Sequence, residues 1–557
     1  MLLLPFLPEA AAIFSPRYFV FWGCVLLAFA SAWALSRGAG LVWFWPLGVF
    51  GALALLGVVD ITQRRSSLRQ NYPVAAHVRF LVEAFRLEIR QYLIEDDEAE
   101  LPFSRVQRSI VYQRAKDVLD KRPFGTQMAL YGDGYEWINH SLAPVQIESH
   151  DFRISIGGSQ CAQPYSASVF NISAMSFGAL SANAILALNE GARRGGFFHD
   201  SGEGSISRWH RQNGGDLVWE IGSGYFGCRD AEGRFDVERF RENARDPQVK
   251  MIELKLSQGA KPGQGGILPG AKVSAEIAQA RGVPEGVDCI SPARHSAFDS
   301  PLGLLRFIQL LRQESGGKPV GFKLAIGHPW EWFGIAKAME VSGILPDFIV
   351  VDGGEGGTGA APLEFADHVG VPLREALMLV HNTLVGLDLR QKIRIGAAGK
   401  IITAFDLARV LAMGADWGNA GRGFMFALGC IQSQSCHTDR CPTGVATQDA
   451  RRQRALDVPD KATRVQQFHD NTLMALRELL AAAGLSHPDQ LGPEHLIRRL
   501  SSYEVRSLAA LYPWVKPGEL LAGGSEHRVF QRFWAMSSAD TFDVPEELMS
   551  LRQSRVS

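Results

Sequence analysis

The stretch VGFKLAIGHPWEWFGIAKAMEVSGILPDFIVVDGG, residues 320–354, decides the fold. Its first run, VGFKLAI (320–326), is short and apolar, as a strand buried on both faces is. The run containing IAKAMEV repeats its apolar residues at the helical period, and DFIVVDG (347–353) is again a short apolar strand, ending in polar and glycine residues. Strand, helix and strand in that order make a parallel pair joined by a crossover. The alternation continues outward through VFNISAMS (169–176), GGFFHD (195–200), MIELKLS (251–257) and VDCIS (287–291) upstream, and through IRIGAA (393–398) and DWGNAG (416–421) downstream. Helical runs such as SANAILALNEGARR, KVSAEIAQAR, LGLLRFIQLLRQE and AFDLARVLAM lie between most of them. Eight strands in about 250 residues predict an α/β chain built as a parallel (β/α)8 TIM barrel, with the active site at the C-terminal mouth. A doubly wound open sheet is the alternative, because the loop between the second and third runs is long.

Outside this core the sequence changes character. From Tyr18 to Leu35 no charge appears, and after Ser36-Arg37-Gly38 a second uncharged run extends from Ala39 to Val59. Each matches the ~20 residues of a membrane-crossing helix, so two transmembrane helices are expected at about 18–35 and 39–59, within a segment 1–60. A signal peptide is the competing reading, but MLLLPFLPEAAAIF lacks a positive start. Arg64, Arg65 and Arg69 follow the second run, against Arg37 alone at the hairpin tip, which predicts an inner-membrane protein with its catalytic body facing the cytoplasm. Residues 61–150 read as a helical connector packed against the body, 151–455 as the barrel domain, and 456–557 as a helical C-terminal extension. A net charge of −1 removes the basic field that would draw the chain to nucleic acid. Seven cysteines, an odd and sparse set, argue against a secreted disulfide scaffold.

Two late loops are suited to a phosphate: Gly396-Ala397-Ala398-Gly399-Lys400 after the seventh strand, and Gly421-Arg422-Gly423 after the eighth. Gly399, Lys400, Gly421, Arg422 and Gly423 are therefore candidate cofactor-binding residues. No G-x-G-x-x-G opens a helix behind a strand with an acidic residue ~20 positions on, so flavin mononucleotide (FMN) is favoured over a nicotinamide nucleotide. Lys323, on the fifth strand, is placed to set its ammonium beside the flavin N1 and O2; a salt bridge inside the barrel is the plainer reading. Cys430, Cys436 and Cys441 in LGCIQSQSCHTDRCPTG point to zinc or an iron–sulfur centre. A cluster with three cysteine ligands suits them better than zinc, whose fourth ligand would have to be the adjacent His437.

With these residues in view the chain resembles the FMN-binding synthase domain of glutamate synthases, over roughly residues 70–480. It is most similar to the short bacterial FMN-binding glutamate synthase family proteins with an N-terminal membrane hairpin. The resemblance rests on AMSFGALS (174–181), DSGEGS (200–205), KLSQGAKPGQGG (255–266), DGGEGGTGAAP (352–362) and the cysteine segment running into GVATQ (444–448). It implies a 3Fe–4S cluster on Cys430, Cys436 and Cys441, and a flavin on Ala174, Met175 and Ser176. It also implies a 2-oxoglutarate site at Gln258, Lys261 and Arg281, where two cations suit a dicarboxylate. Lys255 and Glu203 match polar residues lining the reaction chamber and are the catalytic candidates, a structural ion pair being the alternative. The implied reaction is reductive amination of 2-oxoglutarate by ammonia to L-glutamate, with electrons from an external donor such as ferredoxin.

The sequence also departs from that family. It starts Met-Leu-Leu-Leu rather than with a glutaminase domain's cysteine nucleophile, so ammonia, or a partner supplying it, is expected from outside. Ile267 stands where the longer enzymes have a glutamine near the substrate, and Glu220 and Tyr225 differ as well. A flavin-dependent amine transferase related to methylamine–glutamate N-methyltransferase and a membrane-associated electron-transfer subunit are the competing functions.

Overall fold

The computed structural model describes residues 15–63, 66–96, 102–118, 120–121, 123–523 and 525–553. Arg64 and Arg65 of the orientation argument, and the MLLLPFLPEAAAIF segment, lie outside these residues. The chain divides into two compact units, Met1–Ala99 and Glu100–Ser557, the division falling inside the expected connector.

In the first unit, helices α1 (Phe19–Ser36) and α2 (Phe44–Thr62) pack on one another around a turn with Gly38 and Gly40 in left-handed conformation. Both are long and apolar enough to cross a membrane. Near its C-terminal end α2 carries a buried acid, Asp60. Its carboxylate accepts from the Val74 amide (3.0 Å) and meets His77 Nε2 (2.9 Å), which fixes the start of helix α3 (Ala75–Ala84).

The second unit is a closed eight-stranded parallel barrel. Its strands are β1 (Phe170–Ile172), β2 (His199–Asp200), β3 (Leu217–Ile221), β4 (Val249–Lys255), β5 (Val320–Leu324), β6 (Phe348–Asp352), β7 (Arg394–Ala398) and β8 (Trp417–Ala420). Two sequence expectations change. The third strand is LVWEI (217–221), whose apolar run is interrupted by an inward-facing Glu220 and so lacks the look of a buried strand. VDCIS contributes only Cys289–Ile290, which pairs antiparallel with Ile267–Leu268 outside the barrel. Lys255 therefore closes the fourth strand, not the third.

Alternation along the strands sorts the barrel interior into layers. Phe198, Val218, Met251, Phe348, Val350 and Trp417 form an apolar layer, and Ile156 and Ala167 of an antiparallel hairpin (Arg153–Ile156, Tyr165–Ser168) pack into it. Two residues beyond Phe198, Val218, Met251 and Val350 stand Asp200, Glu220, Glu253 and Asp352, and Lys323 of β5 joins these acids in a charged layer at the mouth. The register pairs Glu220 with Glu253, and Lys323 with Lys255.

Segments before and after the barrel brace it. Helix α4 (Arg105–Ala115) starts at a Ser104/Gln107 capping box, and α5 (Ala182–Gly195) packs on α6 (Val458–Ala483), burying Val465 and Phe468. The C-terminal extension is not wholly helical. Leu496–Arg499 and Val505–Ser507 pair in a sheet with Glu136–Ile138. Glu136 in turn holds Arg374 (2.5 Å) and Arg409 (2.9 Å) on the barrel's outer helices.

Candidate functional site

The charged layer forms the floor of the site. The Lys323 ammonium bonds to Glu220, lies 3.1 Å from Glu253 Oε1 and 4.0 Å from Asp200 Oδ2. One oxygen from each of these three acids lies within 4.8 Å of the other two, an arrangement able to hold a metal ion. Here the cation they share is the lysine. Burial pushes the Glu253 carboxyl well above its ordinary range, and the charge of Asp200 adds to this. Burial also raises Asp200 and Asp352, with Lys323 pulling both part of the way back. Burial thus favours the protonated form of the carboxyls in this layer. None of Asp200, Glu253 and Asp352 was singled out in the sequence. The signal was there in the strand alternation, since each shares the inward face with Lys323 or lies two residues above an apolar inward residue.

Above the floor, Lys255 Nζ reaches Glu203 Oε2 (3.0 Å) and Gln258 Oε1 (2.7 Å), with Glu220 Oε1 at 4.0 Å. Burial opposes the charge on Glu203, but Lys255 outweighs it, helped by Arg281 and Lys261, so its carboxyl lies below the usual range. The Glu203 loop is tight against the β1 loop: Gly202 has φ +65°, and a Cβ there would come 2.8 Å from the Ser176 amide. His210 supports the same loop through the Met175 carbonyl (3.1 Å), and burial lowers it to about 4, so it is neutral. Tyr225 reaches the floor indirectly: its hydroxyl meets His295 Nδ1 (3.1 Å), and His295 Nε2 donates to the Lys255 carbonyl (2.7 Å).

Lys261 and Arg281 are both buried cations, and Arg281 packs against Gly204 of the Glu203 loop. Arg281 donates to the Phe177 carbonyl (3.3 Å) and lies over the Phe226 ring (5.3 Å), but its buried Nε has no partner. A buried guanidinium with an unused donor favours an anion in the space before it. Ile267 stands beside this pair, 39% exposed.

The late loops lie across the mouth. Gly399 (φ +146°) and Lys400 (φ +50°) turn the chain before a Thr403/Asp406 capping box starts the next helix. Arg422 donates to the Glu355 carbonyl (2.7 Å) and covers the Phe103 ring (4.7 Å). Burial lowers it to about 10, although Asp352 and Glu355 act the other way, so this corner too would gain from an anion. Phe103 belongs to the expected connector and gave no sequence signal.

The three cysteines are free and close enough to influence one another's ionisation. Burial pushes the Cys430 thiol up to about 12, and the other two thiols add to it. For Cys441, burial is overcome by amide hydrogen bonds from Ala446, Thr443 and Val445, which hold its thiol below the ordinary value. The segment is clamped by Tyr112, whose hydroxyl donates to the Cys430 carbonyl (2.6 Å), and by Gln432, whose Nε2 donates to the Phe103 carbonyl (3.3 Å). Lys272, unnoticed in the sequence, donates to the carbonyls of Ala179 (3.1 Å), Cys436 (3.2 Å) and Ala446 (3.4 Å), tying the β1 loop to the cysteine segment.

These parts share one cavity of ≈ 800 Å³. Ala174, Met175 and Ser176 line it beside Glu203, Lys255 and Lys323. Gln258, Lys261 and Arg281 face it, as do Gly399, Lys400 and Gly421–Gly423. Cys430 and Cys436 reach its wall, while Cys441 is buried behind them. The Gly356–Gly359 loop after β6 completes the rim.

The model of the conserved region in glutamate synthase matches residues 141–486. The glutamate synthase large subunit-like protein YerD of Bacillus subtilis is 37% identical over 487 residues, which cover 80% of this chain and 92% of that protein. The archaeal glutamate synthase (NADPH) of Methanocaldococcus jannaschii is 36% identical, over 58% of this chain and 60% of its own length. The archaeal-type glutamate synthase (NADPH) of Thermotoga neapolitana is 35% identical, over 60% and 64%. The chain thus spans nearly all of the Bacillus relative and less than two thirds of the archaeal-type enzymes. With its matched region coinciding with the barrel and its cysteine segment, the chain belongs to the glutamate synthase family of oxidoreductases.

Proposed function

We propose that this chain is a membrane-anchored, glutamate synthase-like flavoenzyme that aminates 2-oxoglutarate to L-glutamate, using FMN and a 3Fe–4S cluster and taking ammonia and electrons from outside. The observation that carries the reading is the meeting of Lys261 and Arg281, with its unpartnered Nε, in the cavity that the glycine loops and the cysteines also line. The residues suit both groups. The cavity is large enough for a flavin nucleotide, Arg422 lacks sufficient counter-charge, and three free thiols with one amide-stabilised sulfur make a soft donor set.

Bound there, the flavin would supply hydride and the cluster single electrons. The chain's residues do the rest. Lys261 and Arg281 clamp the two carboxylates, which orients C2 of the keto acid. The Lys255–Glu203 pair, steadied by Gln258, holds and returns the proton exchanged as ammonia adds and water leaves to give 2-iminoglutarate. Lys323 and the acids around it fix the charge beneath the reacting face. The hairpin α1–α2 anchors the enzyme in the inner membrane, body toward the cytoplasm.

Purified protein given reduced dye, ammonia and 2-oxoglutarate tests the reading: glutamate is expected, and its absence with flavin and iron both bound overturns it. Ile267 favours a second reading, an amine transferase, because it puts an apolar side chain where a keto acid would take a hydrogen bond. That enzyme would instead turn over a methylated amine and glutamate supplied in place of ammonia and 2-oxoglutarate.

A further inference from the structure

Beyond the hairpin, the first unit carries an apolar stripe left exposed among the described residues. Val78, Leu81, Val82 and Phe85 fall at i, i+3, i+4 and i+7 of α3 and its continuation, and Tyr92 and Leu93 follow two turns later. Every one of these six side chains is more than half exposed. Arg79, Glu83, Arg86 and Arg90 occupy a separate stripe at spacings of four, three and four, with Arg79 and Glu83 paired at 3.7 Å. Six large apolar groups left in water are costly, because apolar surface gains free energy on leaving water.

We propose that residues 75–94 lie in the plane of the membrane surface, with the apolar stripe sunk among the lipid acyl chains and the arginines at the headgroups. The occupant is lipid because of where the segment begins. Asp60, near the C-terminal end of α2, binds the Val74 amide and His77, and the Tyr18 hydroxyl at the start of α1 donates to the Gln70 carbonyl (3.0 Å). These three bonds pin residues 70–77 to the end of the hairpin at which α1 begins and α2 finishes, so the stripe starts where the spans meet the interface. Its composition agrees: a wide apolar face, a tyrosine with a polar tip, and three arginines suited to anionic headgroups. The inference rests on the hairpin spanning the bilayer.

The test is photocrosslinking on the full chain in nanodiscs of phosphatidylglycerol and phosphatidylethanolamine. p-Benzoylphenylalanine is placed singly at Leu81, Phe85 or Leu93, at Arg79 or Arg86, and at Leu55 in α2 as the reporter of the span. Adducts are identified by mass spectrometry. Lipid adducts several-fold more abundant at Leu81, Phe85 and Leu93 than at Arg79 and Arg86 are expected. Adducts to the second unit or to another copy of the chain, or equal lipid labelling of both stripes, overturn the proposal. Lipid adducts at Leu55 without any at the stripe refute the proposal alone; none at Leu55 refutes the hairpin with it.

Discussion

Lys323→Met removes the ammonium that lies within 4.0 Å of three carboxylates, those of Glu220, Glu253 and Asp200, all almost fully buried. Methionine nearly preserves the volume, so the loss is electrostatic. Removing one partner of a buried ion pair costs about 3–5 kcal/mol, because the remaining charge stays uncompensated. Unfolding entropy of about 2.1 cal/mol/K per residue, over the roughly 450 residues of Glu100–Ser557, gives about 1 kcal/mol per degree. A fall in Tm of about 3–5 °C is therefore expected. The acids respond by keeping protons. Glu253 and Asp200 are already raised by burial, and losing Lys323 raises Asp200 further. A carboxyl raised in the folded state holds a proton that the unfolded chain has released, so stability falls as pH rises from the unfolded value toward the folded one. Each additional proton makes the variant lose up to about 1.4 kcal/mol per pH unit relative to the parent. Calorimetric melts of detergent-solubilised protein at pH 6 and 8 measure this, and the deficit must be larger at pH 8. Adding Glu220→Gln deletes one of the stranded charges and should recover part of the loss. Equal melting of variant and parent at pH 8, or a deficit independent of pH, would refute the charged-layer account.

Arg281→Gln should weaken 2-oxoglutarate binding about 10–150-fold, the worth of a charge-assisted hydrogen bond of about 1.5–3 kcal/mol, with flavin content unchanged; calorimetric titration showing equal affinity removes Arg281 from the substrate wall. Cys441→Ser should lose iron and its visible absorbance while keeping flavin, and full iron occupancy in that variant contradicts the three-cysteine site. Glu203 is held below the usual carboxylate range by Lys255, so its ion pair stabilises the fold above that range and is lost as pH falls through the lowered value. The Tm gap between Glu203→Gln and the parent should accordingly shrink toward zero in acid, and a gap that widens there rules the pairing out. Lys272→Met removes a buried cation beside the cysteine segment and should lower the midpoint potential of the iron centre; an unchanged potential in a paramagnetic-resonance titration limits Lys272 to holding carbonyls.

How much of this is legible in the sequence follows from how each residue announces itself. Glycine loops and clustered cysteines are read from neighbours in the chain, so Gly399, Arg422 and Cys430 stand out. Lys323 stands out as a lone charge in an apolar run. Glu220 does the opposite: it disguises its own strand, because one inward acid in LVWEI breaks the apolar continuity by which buried strands are recognised. VDCIS misleads for the converse reason, since a short apolar run between turns has the same appearance in a two-residue pairing outside the barrel as within it. Lys272 and Phe103 are invisible because their roles exist only through contacts across 93 or more residues of chain.

Phe103 and Tyr112 matter for a further reason. Both lie outside residues 141–486, the conserved region, yet both touch the wall that the glycine loops and the cysteines share. Phe103 is the platform under Arg422 and packs edge-on against Phe426 (5.4 Å), in the short helix that leads from the Gly421 loop to Cys430. Tyr112 holds the Cys430 carbonyl from α4. A barrel alone would leave that helix and the cysteine segment backed by solvent. The segment 102–115 covers them with aromatic rings and supplies their hydrogen-bond partners. The dry wall between the two proposed redox groups is thus made jointly by the conserved barrel and by a helix that precedes it. Truncation to the conserved region should therefore remove the iron before it unfolds the barrel.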